Sequence, residues 1–286
     1  MTTRFRTWVL IAGLSGLFVT LGALVGGAAG MLVFLVLAVG FNLVMFWFSD
    51  RIALRTSRAV PLERSEAPAV YDDVEELARR AGLPVPRLYL IPSEQPNAFA
   101  TGRSPSHSAV AVTEGLLRLL PHEQVRGVLA HELAHIKNRD VLVTTVAAMI
   151  GAAIAAIANF LQFSWLFGGG DDEESPLGMV GTLAAILVAP IAAMVLQLAV
   201  SRQREYLADA TAAELLGTGR PLADALESLH LGVQAMPMVV NPATASLYIA
   251  NPLAGAGMAA LFSTHPPMEQ RVARLREIDR QAGRDR

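Results

Sequence analysis

Four stretches of this chain are too long and too apolar to serve as ordinary core helices of a globular domain. They run at about 8–30, 31–48, 142–167 and 177–200, each near or above the roughly 18–20 residues an α-helix needs to cross a bilayer. The composition agrees, with 53% hydrophobic and 17% charged residues and a mean hydropathy of +0.42. Only the run Gly26-Gly27-Ala28-Ala29-Gly30 separates the first two stretches, so they are expected to form a tight hairpin over 1–50. The first stretch exceeds the roughly 7–15 apolar residues of a signal-peptide core and reads as a retained span.

Charge at the span ends sets an expected orientation. Arg4 and Arg6 precede the first span, Arg51, Arg55 and Arg58 follow the second, Lys137 and Arg139 precede the third, and Arg202 and Arg204 follow the fourth. The loop 168–176 carries Asp171, Asp172, Glu173 and Glu174 and no Lys or Arg. The positive-inside rule then places both termini and both polar halves on the cytoplasmic face of a plasma (inner) membrane, as a multi-pass protein. Asn42, Asn159, Gln162 and Gln197 are read either as marking a translocation path or, as uncharged amides in helix bundles more often do, as joining helices by hydrogen bonds, and no span carries a charge at its centre. That argues against an ion pump or a proton-coupled transporter. A net charge of -2 gives no case for nucleic acid.

The chemistry concentrates in His131-Glu132-Leu133-Ala134-His135. On a helix, residues four apart share a face, so His131 and His135 present imidazole nitrogens to one cation while Glu132 points beside that face toward a bound water. Pro121 and the good helix formers from Glu123 to Lys137 support the helix, with Val125, Val128, Leu129 and Ile136 on its apolar side. The chain has no cysteine, so one zinc ion per chain would be held by nitrogen and oxygen, with a third protein ligand and an open position for water. Glu205, in Glu205-Tyr206-Leu207-Ala208-Asp209, is the best third ligand. The chain leaves and re-enters the same membrane face between His135 and Glu205, so the two can share an ion. Asp209, one turn on, is expected to accept a hydrogen bond from a ligating imidazole. Glu132 is expected to act as the general base. Roughly seven residues, or ~10 Å of helix, separate His135 from the third span, so substrates are expected to be membrane proteins or unfolded polypeptides presented at the bilayer.

Elsewhere, an amphipathic helix is expected over 68–81, stopped by Gly82, with short strands at 87–91, 97–101 and 109–113. Asn97, Ala98 and Phe99 are expected to lie on a free sheet edge that takes an extended peptide. A helix should run from Glu205 through Leu216 to Gly217, another over 221–231, and a last one over 268–281 with Val272, Leu275 and Ile278 inward and basic residues outward. The stretch 236–257 shows no clear period and reads as a flap over the site or an irregular loop. His265, before two prolines, is either an oxyanion contact or a helix-capping or core residue; Arg204 is either an oxyanion contact or a lipid-headgroup contact. His107, His122 and His230 read as structural or solvated.

The expected fold class is mainly α: four transmembrane helices and a cytoplasmic, gluzincin-like HExxH zinc-metalloprotease domain with a small β-sheet. Its parts are a hairpin over 1–50, a protease region over 51–141, a second hairpin over 142–200, and a protease region over 201–286. His-Glu-Leu-Ala-His-Ile-Lys-Asn-Arg-Asp at 131–140, Ser-Arg-Gln-Arg-Glu-Tyr-Leu-Ala-Asp at 201–209, Pro-Asn-Ala-Phe-Ala at 96–100 and Thr-His-Pro-Pro at 264–267 resemble the HtpX-type membrane metalloproteases, relatives of the CAAX prenyl proteases. The resemblance implies a zinc endopeptidase of a bacterial inner membrane, active on misfolded membrane proteins at the cytoplasmic side. By motif, His131, His135 and Glu205 match its zinc ligands, Glu132 its catalytic residue, and Asn97 with the adjacent strand its substrate-binding positions. Two other readings stand beside it. A CAAX-type processing peptidase is disfavoured by the short chain, and a metal-bearing scaffold would tolerate Glu132→Gln.

Overall fold

A computed structural model of the protein describes residues 3–141, 202–235, 249 and 266–283. The third and fourth apolar runs, His265, and all of 236–257 except Ile249 lie outside these residues. The first two runs are carried by one helical stretch, α1 (Thr3–Thr56). The glycine-rich run expected to turn is itself helical, with Gly27 in the left-handed region at φ 60°. Interleaved alanines are the strongest helix formers, and each glycine costs only about 1 kcal/mol there, so the run need not break the helix. A change of direction comes later, where Gly27–Phe41 and Phe46–Thr56 meet at 65°. Among the described residues no single helix is long and apolar enough to cross a membrane; this bent pair is so by length and composition.

A mixed four-stranded sheet follows: β1 (Val60–Pro61), β2 (Arg87–Ile91), β3 (Ala98–Ser104) and β4 (His107–Thr113), in the order β1-β2-β4-β3. β2 and β4 run parallel, and β3 pairs antiparallel with β4 in the register Ala98↔Val112 and Ala100↔Val110. Side chains alternate across a strand, and the two faces bury different partners. Leu88, Ala98, Ala100, Val110 and Val112 enter the main core with the helices. Ile91, Phe99, Ala109 and Ala111 instead pack with Ala53 and Leu54 at the end of α1. The sheet is thus held between α1 and the helical layer.

That layer comprises α2 (Pro68–Ala81), α3 (Glu114–Leu119), α4 (His122–Asn138), α5 (Arg202–Leu216), α6 (Arg220–Ala235) and α7 (Met268–Gln281). α2 starts at a proline and stops where Gly82 turns left-handed at φ 67°, its N–H capping Ala78 and Arg79. α4 is the hub, packed against α2, β3, α5 and α6. Its contact with α6 is close enough to exclude a side chain: a Cβ on Gly127 would sit 2.6 Å from the backbone of Pro221 and Leu222. α7 is tied back by Asp279, whose carboxylate accepts from Gly219 N–H at 2.8 Å and from Thr218 Oγ1 at 2.9 Å.

Gly127→Ala should therefore force α4 and α6 apart, at a cost of about 1–3 kcal/mol. Thermal unfolding of the detergent-solubilised protein checks this. A wild-type midpoint in the variant would mean that the α4–α6 packing is looser than described.

Candidate metal centre

The site is built where α4, α5 and α7 meet. His131 and His135 share one face of α4, and their Nε2 atoms approach to 3.1 Å with the ring planes at 84°. Glu205, on the first turn of α5, brings Oε2 to 3.6 Å from His131 Nε2 and Oε1 to 3.7 Å from His135 Nε2. The donor atoms of the three residues all lie within 4.8 Å of one another. Structure thus brings together the three residues that spacing and topology single out.

Each imidazole is oriented by a carboxylate at its other nitrogen. His131 Nδ1 lies 3.0 Å from Asp209 Oδ1, and His135 Nδ1 lies 3.1 Å from Asp140 Oδ1. A proton on each Nδ1 satisfies both contacts and leaves the two Nε2 lone pairs facing one another. Two lone pairs at 3.1 Å repel unless a cation or a proton sits between them. Charge points the same way. Glu132, Asp140, Glu205 and Asp209 are all buried, and among the described contacts Arg271 pairs with Glu205 and Asp209. Buried carboxylates in such excess need positive charge. The donor set therefore fits a divalent metal ion.

Proton affinities follow from this balance. At His135, burial favours the neutral ring, but Asp140, Glu205 and Glu132 outweigh it and push the pKa up to about 10. At Asp209, burial favours the neutral acid, but Arg271 and then His131 hold it down to about 2. Burial likewise pushes the Glu132 carboxyl up, against the opposing pull of His131, His135 and the Ala100 N–H.

Two of the organising residues are absent from the motif reading. Asp140 closes on His135 because Arg139 ends α4 in the left-handed region at φ 58°, turning the chain so that Asp140 N–H bonds His135 C=O at 3.3 Å. Arg271 contradicts the expectation that the basic residues of the last helix face outward, for it is 0% exposed. It grips Asp209 with Nε at 2.9 Å and Nη2 at 2.7 Å, and reaches Glu205 at 3.7 Å and His131 Nε2 at 3.4 Å. A bidentate acid partner is what makes a buried guanidinium tolerable. Arg204, expected near the oxyanion or the lipid, is buried on the first turn of α5 beside Glu205.

Glu132 accepts a hydrogen bond from Ala100 N–H at 2.6 Å, which ties the helix to the last strand of the sheet. Asn97 lies just before that strand, linked to Thr113 through both its N–H and its C=O. β3 is the hydrogen-bonding edge, yet Ala98, Phe99 and Ala100 are buried because α1 and α4 pack against it. His107, His122 and His230 lie apart from the centre, against Ser104 and Ser106, Asp73, and Glu269 respectively.

A model of the peptidase M48 family matches residues 64–279. The chain belongs to peptidase family M48. Its relatives include the protease HtpX homologue of Pelotomaculum thermopropionicum, 52% identical over 95% of this chain and 98% of that protein. The corresponding proteins of Syntrophobacter fumaroxidans and Aquifex aeolicus are 50% and 49% identical, over 97% and 95% of this chain and 100% and 91% of theirs. The fold resembles the crystal structure of S. mikatae Ste24p, with a TM-score of 0.52 and 21% identity over 95% of this chain and 65% of that one. The M48 chain described here is a metalloprotease, a hydrolase of peptide bonds.

Two outcomes follow. Metal binding must displace the proton that His135 carries below a pKa of about 10, so affinity rises with pH, by about tenfold per unit for each proton released. Zinc competition titrations of the metal-free protein between mildly acidic and mildly basic pH measure this, and a flat profile would show that His135 carries no proton to displace in that range. Arg271→Met leaves Asp209 buried without its cation and should cost about 3–5 kcal/mol, which thermal unfolding of that variant reads out.

Proposed function

We propose that this M48 protein is a zinc-dependent endopeptidase embedded in the plasma membrane, cleaving unfolded or damaged membrane proteins at the cytoplasmic face, with both termini on that side. The observation that carries the reading is the contact between Glu132 and the edge strand. The carboxylate expected to serve as base is fixed at 2.6 Å from Ala100 N–H, on the strand to which an extended peptide would add. Nitrogen and oxygen donors in a His, His, Glu set suit zinc.

His131, His135 and Glu205 would hold the ion, which when bound supplies Lewis-acid polarisation of water and of the scissile carbonyl. Within that site Glu132 accepts a proton from the attacking water and passes it to the departing amine nitrogen, so that one group serves as base and then as acid. Burial raises its proton affinity, which favours uptake of the proton from water. Asp209 and Asp140 hold the two imidazoles in one tautomer and one orientation. An extended substrate beside β3 would place alternate side chains on opposite faces of the sheet. One face meets α4. The other opens toward a cavity of about 340 Å³ lined by Thr56, Arg58, Ile91, Gln95, Asn97 and Phe99.

The membrane reading rests on α1. Leu32, Val36 and Leu37 on it are 63%, 65% and 54% exposed, an apolar surface that water does not favour and lipid does. Beyond it come Trp47, with Arg103 over its ring at 4.9 Å, and Arg51 over Phe48 at 5.6 Å. Aromatic and basic side chains of this kind gather at a membrane interface.

Glu132→Gln tests the chemistry. The purified variant in detergent should bind zinc with wild-type stoichiometry while cleavage of an unfolded membrane protein falls by about 10²–10⁴-fold. Wild-type turnover by the variant would remove Glu132 from the reaction. Protease protection of tags at either end, in sealed inverted vesicles, reads the orientation.

A further inference from the structure

The cavity of about 340 Å³ where the end of α1 meets β2 and β3 is lined without an acid. Ile91 and Phe99 give it apolar walls, and Ser57, Arg58, Ser93 and Gln95 give it polar ones. Its volume is at the small end of the roughly 300–1,000 Å³ of small-molecule sites. Gln95 is 6% exposed. Its backbone N–H is accepted by Ser93 Oγ at 3.3 Å, but its side-chain amide has no hydrogen-bond partner among the described residues. A buried amide is costly unless it is paired, so the cavity offers two donors and an acceptor to whatever enters. Arg58 is exposed at the same wall and forms no ion pair among the described residues. The acids that adjoin the lining in sequence, Glu94 and Glu114, pair with Arg118 instead.

Resting on the membrane reading above, we propose that this cavity binds the hydroxylated phosphodiester headgroup of an anionic membrane lipid. Arg58 takes the phosphate, the Gln95 amide and the serine hydroxyls take the headgroup hydroxyls, and Ile91 and Phe99 lie against the glycerol backbone. A cation with no acid beside it and an unpaired amide are what a phosphodiester carrying hydroxyls can satisfy together. The end of α1 opposes an anion, since a helix C-terminus carries about half a negative charge. That field is outweighed. Thr56 Oγ1 donates to the carbonyls of Ile52 and Ala53, and the N–H groups of Ser57, Arg58 and Ala59 cap those of Ala53, Arg55 and Leu54. Arg51, Arg55 and Arg58 also bring three full positive charges to the same end.

Depth favours a lipid over a free anion. Thr56 lies nine residues, or about 14 Å of helix, beyond Trp47. With Gly27–Phe41 along the bilayer normal, the bend of 65° leaves Phe46–Thr56 about 25° from the membrane plane, so Thr56 stands only about 6 Å deeper into the aqueous side than Trp47. Each polar layer of a bilayer is roughly 5–8 Å thick. With Trp47 at the interface, the cavity mouth is therefore level with the headgroups.

The test uses the full zinc-loaded chain in detergent at about 150 mM salt, where attraction to a diffuse basic surface is screened beyond about 8 Å. Binding of acyl-labelled phosphatidylglycerol and phosphatidylcholine is followed by fluorescence anisotropy, with glycerol phosphate as a soluble competitor. Three variants separate the contributions. Arg58→Gly removes the charge and suits the left-handed backbone that Arg58 adopts at φ 53°, so it preserves the end of α1. Gln95→Leu removes the amide at similar size. Arg55→Gln removes a cation from the same helix end that does not line the cavity. Zinc stoichiometry identifies the folded variants, and Arg58→Gly with Arg55→Gln suffices. The proposal expects phosphatidylglycerol to bind at least about tenfold more tightly than phosphatidylcholine. That preference should fall about tenfold in Arg58→Gly and about threefold in Gln95→Leu, and by less than about twofold in Arg55→Gln. Equal binding of the two lipids, an unchanged preference in Arg58→Gly, or an equal loss in Arg55→Gln would overturn it, the last by revealing a diffuse basic surface. Displacement of the lipid by an equal concentration of glycerol phosphate would make this a site for free phosphoesters and overturn the lipid assignment. Flotation with vesicles of either lipid tells the two readings apart. A chain that floats with neither overturns the membrane reading, whereas one that floats with both and shows no headgroup preference in detergent overturns the lipid site alone.

Discussion

The pairing of Arg271 with Asp209 is the constraint on which the site depends. Neither charge can be buried alone at tolerable cost, so the helices that carry them, α7 and α5, are obliged to meet. Asp209 then reaches His131 on α4 at 3.0 Å, and Arg271 reaches Glu205 at 3.7 Å. One ion pair therefore fixes the mutual placement of three helices and two metal-ligating residues. The remainder of α7 serves the same end. Arg271, Leu275 and Asp279 recur every four residues on one buried face, and Asp279 anchors the far end of that face to the α5–α6 connection through Gly219 and Thr218.

Four carboxylates gathered around two imidazoles, with Arg271 paired to two of them, still favour further positive charge. A proton on His135 is one way to supply that charge, and a divalent ion is the better one, since it engages both Nε2 lone pairs and Glu205 at once. The pull toward a cation is thus built into the arrangement of these side chains. The orienting acids differ in how they are placed. Asp209 comes from a distant helix, while Asp140 comes from the turn that ends the helix bearing His135.

Much of this architecture is legible in the sequence because it rests on periodicity and punctuation. The helix at 68–81, the strand at 87–91 and the helix at 268–281 are found at those limits, since Pro68, Gly82 and the paired prolines 266–267 mark ends that local chemistry enforces. The ligand set is legible because His131 and His135 share a face and Glu205 is the acid that topology allows beside them. Arg271 is not legible. A stripe drawn through Val272, Leu275 and Ile278 places it at the margin of an apolar face, and the rule that arginine faces water holds unless a buried acid awaits it. That acid is Asp209, whose reading named a ligating imidazole first and a salt bridge only without a partner. The glycine-rich run at 26–30 misleads for a different reason: glycine permits a turn without requiring one, and helical hydrogen bonds within an apolar segment favour continuing.

The position of Asp140 joins the chemistry to the membrane question. α4 ends where Arg139 turns left-handed, and the next residue both bonds back to His135 C=O and orients its imidazole. Only Val141 then separates Asp140 from the third apolar run at 142–167. The geometry of a ligating histidine and the point at which the chain enters that run are consequently set by the same short turn. A displacement of this turn by one residue would carry Asp140 away from His135 and lift a carboxylate out of its hydrogen bonds. The requirement that His135 keep its tautomer thus limits how far the start of the apolar run can stand from the metal centre.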